Sequence, residues 1–263
     1  MHMIMYRSYI DKIHCLFSLP SSEPQKKIII ACSGLPGQPE NYELFSYFTQ
    51  EGFICVHPKY EGTWESYGKF LNHSPVDDIL KVIDHLKKER SLVSAYDNSL
   101  IKFDFDEVIL FGSSFGGSVA LVSAARSQNV NRAIAIAPVI DFSTQGKDKR
   151  EEQDLTNLGE FLQRGYGRAY DFELRDWKKL LEGKIDMNPI KYIKELSPKK
   201  LFLVHGEEDK TISVYKTRRF FDDLKNKESE FLLVPNAGHL SFYGLQTTSS
   251  LSKILDWIKM GSK

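Results

Sequence analysis

Several features that would direct the reading elsewhere are scarce in this chain. Only three cysteines, Cys15, Cys32 and Cys55, occur in 263 residues. The number is odd and each lies in or beside an apolar, strand-like run, so each is read as a small buried hydrophobe and no disulfide framework is expected. A reducing, cytoplasmic compartment is the expectation. Net charge is also missing: 35 Lys and Arg stand against 35 Asp and Glu. With no basic surplus to follow a phosphate backbone, nucleic acid is not an expected partner. No stretch approaches the roughly 18 consecutive apolar residues of a membrane span, and the N-terminus lacks the charged-then-apolar layout of a signal peptide. The seven histidines are scattered, with neither an HExxH pattern nor paired cysteine spacing. Neither structural zinc nor any other metal or cofactor is expected. Repeats and low-complexity tracts are absent, and the sequence gives no indication of oligomeric state.

What remains is a chain with 41% hydrophobic and 12% aromatic residues, enough apolar surface to offset the entropy of ordering it. Strand-like runs at 9–19 and 27–32, separated by Pro20-Ser21-Ser22-Glu23-Pro24, predict an opening hairpin. The runs at 53–56, 108–111, 133–137, 201–204 and 231–234 are short, rich in β-branched or aromatic residues, and continuous rather than alternating, the pattern of strands buried on both faces. Amphipathic helix-length stretches lie between them at 41–50, 76–88, 115–127, 214–226 and 245–260. In one of these, Val76, Ile79, Leu80, Ile83 and Leu86 form the stripe that a helix presents to a core. Strand alternating with helix implies an α/β fold, a mostly parallel sheet with helices on both faces, in one domain over residues 1–263. One connection is out of proportion: 141–196 carries the charged run Lys147-Asp148-Lys149-Arg150-Glu151-Glu152 and then Phe161, Tyr166, Tyr170, Phe172 and Trp177. It is read as a helical cap inserted in that domain, its charges a solvated face and its aromatics either a small core or an acyl pocket.

Ligands in such sheets bind beyond the carboxyl ends of the strands. There, the 108–111 run leads into Gly112-Ser113-Ser114-Phe115-Gly116, a G-x-S-x-G pattern at a strand-to-helix turn. Such a turn holds its central serine in a strained conformation with the hydroxyl projecting from the sheet edge. Ser114 is therefore the candidate nucleophile. Ser113 is not, because a pattern centred on it would need glycine at Phe111 and Phe115. A serine hydroxyl needs a base, and the base needs an orienting group. The 201–204 run ends in His205-Gly206-Glu207-Glu208-Asp209 and the 231–234 run in Pro235-Asn236-Ala237-Gly238-His239. These give Asp209 as the acid and His239 as the base, in the chain order Ser, Asp, His of this fold class. Glu207 and Glu208 are alternative acids. His205 is read as a strand-end packing residue and Cys32 as a buried thiol rather than a nucleophile.

Ordered in this way, the motifs resemble those of α/β-hydrolase fold serine hydrolases, over nearly all of the chain from about Ile28. The Gly-rich elbow, the Pro189-Ile190 segment, His205-Gly206-x-x-Asp209 and Gly238-His239 are similar to single-domain relatives of prolyl-oligopeptidase and acyl-peptidase catalytic domains. The resemblance implies an oxyanion hole formed by the N–H of Phe115 and one from Ser33-Gly34-Leu35-Pro36-Gly37. Leu35 is the expected second donor, since Pro36 has no N–H to give. It also implies a cofactor-free reaction through an acyl-enzyme on a small carboxylic ester, with a thioester or short peptide as alternatives. Two departures stand out. Ser33-Gly34 occupies the place where such relatives often carry His-Gly, and no Arg-Gly follows the 53–56 run. Tyr60 and Trp64, in the loop after that run, are candidates to line the mouth of the site. A non-catalytic protein binding an acyl ligand or a partner is the alternative of another class. Haloalkane dehalogenase chemistry is excluded, since it would need aspartate where Ser114 stands.

Overall fold

The structure is a computed structural model that describes residues 4–21, 24–37, 42–240, 242–246 and 249–260. In chain order the strands are β1 (Ile4–Ile10), β2 (Ile13–Leu19), β3 (Lys27–Cys32), β4 (Ile54–Pro58), the short pair β5 (Ser91–Val93) and β6 (Leu100–Lys102), β7 (Glu107–Ser113), β8 (Val130–Ile136), β9 (Lys200–Gly206) and β10 (Glu230–Val234). The helices are α1 (Tyr42–Gln50), α2 (Pro75–Glu89), α3 (Phe115–Arg126), α4 (Thr156–Tyr166), α5 (Leu174–Leu181), α6 (Ile193–Leu196), α7 (Val214–Leu224), α8 (Phe242–Gln246) and α9 (Ser250–Lys259). Eight strands form one sheet in the order β1-β2-β4-β3-β7-β8-β9-β10. From β4 to β10 all neighbours run parallel, while β1 and β2 are joined antiparallel at one edge.

The continuous apolar runs are buried on both faces. Ile28, Ile30, Val108, Leu110, Leu201 and Leu203 pack into one layer with α2, α3 and α7. Their neighbours in sequence, Ile29, Ala31, Ile109, Phe111, Phe202 and Val204, pack into the other with α1, α8 and α9. Alternation at period two sends successive side chains to opposite faces, and both faces are covered by helices, which is why the middles of these strands are apolar on both sides. Helix α2 shows how its local sequence starts and stops it. Ser74 Oγ accepts the N–H of Val76, Pro75 occupies the first turn, and Arg90 closes the helix in the left-handed conformation at φ 49°, as a capping hydroxyl and a first-turn proline favour.

The opening differs from the expected hairpin. The 9–19 run is broken at Asp11, which takes φ 55°, and the hairpin is β1 with β2 about the Asp11-Lys12 turn. Strand β2 pairs with β4 rather than β3, so the proline-containing segment is a crossover; Ser22 and Glu23 within it lie outside the described residues. The predicted 245–260 helix is divided into α8 and α9.

The chain leaves β3 for β4 on one side and returns to β7 on the other. The turns after β3 and β7 therefore meet at a switch point of the sheet, where a crevice opens at the strand ends. No described helix is long and apolar enough to cross a membrane.

Candidate active site

Ser114 sits between the end of β7 and the start of α3 with φ 54° and ψ −122°. For a residue with a Cβ this is a strained backbone, held by the Ser114 N–H on the Ile136 carbonyl at 2.8 Å and by Gly117 and Ser118 N–H groups on the Ser114 carbonyl. The flanking glycines have a steric reason. A Cβ on Gly112 would lie 2.1 Å from the Gly116 oxygen, and one on Gly116 2.1 Å from the Cys32 oxygen. Strand and helix thus approach as closely as backbones can.

Asp209 and His239 follow β9 and β10, neighbours at the far side of the sheet. A Cβ on Gly206 would lie 2.1 Å from the Gly238 oxygen, so the two loops touch through a glycine on each side. This contact brings Asp209 Oδ2 to 2.7 Å from His239 Nδ1. The other carboxylate oxygen accepts the N–H groups of Thr211 at 2.8 Å and Ile212 at 3.0 Å. Burial, with Asp209 only 4% exposed, pushes its carboxyl up. The contacts with His205 and His239 and the Ile212 N–H outweigh this and hold it well below the usual carboxylate range, because hydrogen bonds to the charged form favour it. Glu207 and Glu208 are exposed; Glu207 faces the Asn236 N–H and Glu208 donates its own N–H to Ala237.

Ser114 and His239 line two cavities together. One, of about 280 Å³, is walled by Ser33, Gly34, Leu35, His57 and Glu43. The other, of about 370 Å³, is mostly apolar, with Phe115, Val139, Phe142, Leu158 and Trp177 beside a polar edge of Asp154 and Asn157. Leu35 borders both. Phe115 is the first residue of α3, so its N–H is among those a helix leaves without an intrahelical acceptor, at the end where the helix dipole favours negative charge.

The two aromatics expected at the mouth are elsewhere. Tyr60 is 1% exposed and its hydroxyl donates to the Ser33 carbonyl at 2.9 Å, so it braces the loop after β3 from below. Trp64 packs edge-on against Tyr166 and Tyr170, and neither aromatic lines the two cavities around Ser114. An aromatic-rich loop after a strand signals either packing or a site; here packing wins because the 141–196 connection folds back on it, pairing Tyr170 with Thr63. Cys32 is buried, and burial raises its thiol far above the range in which a thiolate forms.

Sequence reasoning missed three groups. His205, read as packing, is fully buried with Nε2 3.3 Å from Asp209 Oδ2 and 3.1 Å from the Ile212 carbonyl; its position in His-Gly-x-x-Asp, four residues before the acid, was the available signal. Tyr170 accepts the Gly37 N–H at 2.9 Å, tying the 141–196 connection to the loop after β3. His57 lies against Ser33, a contact between neighbouring strands that single-sequence spacing does not reveal. Away from the site, Glu61, His73 and Asp78 cluster within reach of one another, but as a satisfied network: His73 meets Asp78 at 2.7 Å and Lys81 meets Glu61 at 2.8 Å.

The family model of the prolyl oligopeptidase family matches residues 41–262. The chain belongs to the prolyl oligopeptidase family. That family is one of serine hydrolases of the esterase and peptidase type. Among solved structures, an esterase from Pyrococcus furiosus superposes with TM-score 0.70 at 15% identity, over 98% of this chain and 89% of that one. Est1E from Butyrivibrio proteoclasticus, with ferulic acid bound, gives TM-score 0.66 at 17% identity over 97% and 99%. The acylaminoacyl peptidase of Pyrococcus horikoshii gives 0.65 at 16% over all of this chain and 42% of its own. At these identities the likeness is one of fold. The quorum-quenching protein AidA of Acinetobacter baumannii is 27% identical over 125 residues, 46% of this chain, and the match spans only 38% of that relative's length.

Proposed function

We propose that this family member is a carboxylesterase working through an acyl-enzyme, with Ser114 as nucleophile, His239 as general base and Asp209 as its orienting acid. The observation that carries this reading is the convergence of a serine at φ 54° with a histidine held 2.7 Å from a buried carboxylate, all at the strand ends and the serine and histidine opening on the same cavities. In the reaction, Ser114 Oγ attacks the acyl carbon as His239 Nε2 takes its proton. Asp209 fixes the tautomer with the proton on Nδ1 and stabilises the imidazolium that forms. The N–H groups of Phe115 and Leu35 receive the oxyanion, and donors aimed there are each worth about 2.7 to 4 kcal/mol. His239 then protonates the leaving alcohol, and water repeats the sequence in reverse to free the acid and Ser114.

The apolar cavity walled by Phe142, Leu158 and Trp177 suits the acyl group of the substrate, with residues 141–196 acting as a cap over it. The cavity with Ser33 and Glu43 suits the more polar alcohol side. Its size favours a small ester over a folded polypeptide. A short-peptide substrate is the second reading, favoured by the match to a peptidase family. A p-nitrophenyl ester series of increasing acyl length, run beside an aminoacyl p-nitroanilide, tests this. The ester reading predicts kcat/KM for the best ester well above that for the anilide; the reverse order makes the protein a peptidase.

A further inference from the structure

Behind the oxyanion loop lies a chain of polar groups that the acyl-enzyme scheme does not use. Lys59 Nζ stands 3.3 Å from His57 Nδ1, and His57 Nε2 is in close hydrogen-bond contact with Ser33 Oγ. Lys59 is 1% and His57 2% exposed. A charged side chain is kept that deep only when its hydrogen bonds justify the cost of desolvating it.

The direction of this chain follows from valence. A lysine ammonium has donors and no acceptor, so Nδ1 of His57 must accept from it. A neutral imidazole accepting at Nδ1 carries its proton on Nε2. Burial first, and then the charge of Lys59, hold His57 well below its ordinary value, so it is this neutral form that is present. Nε2–H therefore donates to Ser33 Oγ, and the Ser33 hydroxyl hydrogen is left to donate elsewhere. The Ser33 backbone is pinned as well, through Tyr60 on its carbonyl. Ser33 is half-buried and borders the cavity that Ser114 and His239 also line. The next residue, Gly34, lies so close to the elbow that a Cβ on it would be 3.8 Å from Ser114 Cβ.

We propose that Ser33 is a side-chain donor to the substrate's carbonyl oxygen, a third member of the oxyanion hole, aimed by the Lys59–His57 relay. This rests on the acyl-enzyme reading of Ser114. It gives a use to Ser33 where similar hydrolases often carry histidine: the imidazole comes instead from the adjacent strand, one step removed, and the hydroxyl delivers the hydrogen bond. Ser33 would touch the reacting oxygen. His57 and Lys59 would be positioning residues, acting only through it.

The test is steady-state kinetics on a p-nitrophenyl ester for wild type, Ser33→Ala, Lys59→Met and the double variant, with active sites counted by complete fluorophosphonate titration. Loss of an oxyanion donor lowers kcat by about a hundredfold or more, with KM changed by less than about threefold because the interaction is made in the transition state. Lys59→Met should lower kcat by about tenfold, and the double variant should be no slower than Ser33→Ala alone, since groups acting through one another are not additive. A merely structural Lys59 would instead lower the number of titrated sites and leave kcat per site unchanged. If Ser33→Ala does not fold, Lys59→Met must still lower kcat per site at constant KM. Wild-type kcat in titrated Ser33→Ala, or effects of the two substitutions that multiply, would overturn the proposal while leaving Ser114 intact. Failure of wild type to label at Ser114 would remove the acyl-enzyme reading and this proposal together.

Discussion

Asp209 and His239 meet at 2.7 Å, although they stand 30 residues apart on separate loops, because Gly206, with no side chain, lets its loop lie directly on the backbone of Ala237 and Gly238. Asp209 also takes two backbone N–H groups and His205, so it is a buried carboxylate held ionised from several directions. Asp209→Asn is expected to lower kcat by about 10⁴-fold, the cost of the wrong imidazole tautomer in a serine triad. Glu208→Gln, at an exposed neighbour, should leave kcat near wild type. Since Asp209 is depressed below the ordinary carboxylate range, its contribution to stability is fully present above about pH 4 and declines as pH falls below that. Paired pH–rate and pH–melting curves for the two variants check both statements.

His57 gives a pH dependence at a different place. It is neutral in the folded chain, with its proton affinity lowered by burial and by Lys59, whereas in the unfolded chain it titrates near its ordinary value of about 6.5. Below that value the unfolded state binds a proton that the folded state refuses. Stability therefore falls as pH drops, by up to about 1.4 kcal/mol per pH unit from this group. A His57→Asn variant should show a flatter dependence of urea midpoint on pH between 7 and 5 than wild type.

Tyr170 couples the 141–196 connection to the oxyanion loop through the Gly37 N–H. Burial pushes its phenol up to about 12, so the hydroxyl stays neutral across the working range. Tyr170→Phe leaves that N–H without its acceptor, which costs about 1 to 3 kcal/mol when such a group is buried. The expected result is a lower melting temperature together with a reduced kcat, as the loop bearing Leu35 loses one of its anchors. An unchanged kcat would uncouple the connection from the chemistry.

Gly116→Ala tests the elbow as a packing device. Its Cβ would fall 2.1 Å from the Cys32 oxygen and 2.6 Å from the Ser33 carbonyl carbon, both backbone atoms that cannot rotate away. Overpacking of this kind costs typically 1 to 3 kcal/mol and occasionally more, and here it also separates β3 from α3. Thermal melting should show a loss in that range or greater, with activity lost at temperatures where the fold survives.

The parts of this molecule that the sequence makes legible are those governed by local pattern. The parallel strands follow from continuous apolar runs, which require cover on both faces, and Ser114, Asp209 and His239 follow from strand ends with glycine at fixed offsets. What it hides is set by pairing between distant segments. Nothing local says that β2 joins β4, so the run ending at Leu19 reads as the partner of β3 in a hairpin. Tyr60 and Trp64 look like mouth residues because a loop after a strand usually faces a ligand. Trp64 packs instead against Tyr166 and Tyr170, a hundred residues later, and Tyr60 against Phe70 and Phe115. The Lys59–His57–Ser33 contact is invisible for the same reason, since it spans two strands whose register emerges only in the folded sheet.

The chemistry proposed for this site depends first on Ser114 being the nucleophile. Fluorophosphonate labelling of wild type and Ser114→Ala tests it most directly, with the modified peptide located by mass spectrometry and folding of both proteins checked by melting. Stoichiometric modification of wild type at Ser114, none in the variant, and loss of ester turnover without loss of fold are the expected results. Labelling that persists in Ser114→Ala, or a folded wild type that does not label at all, would contradict that assignment.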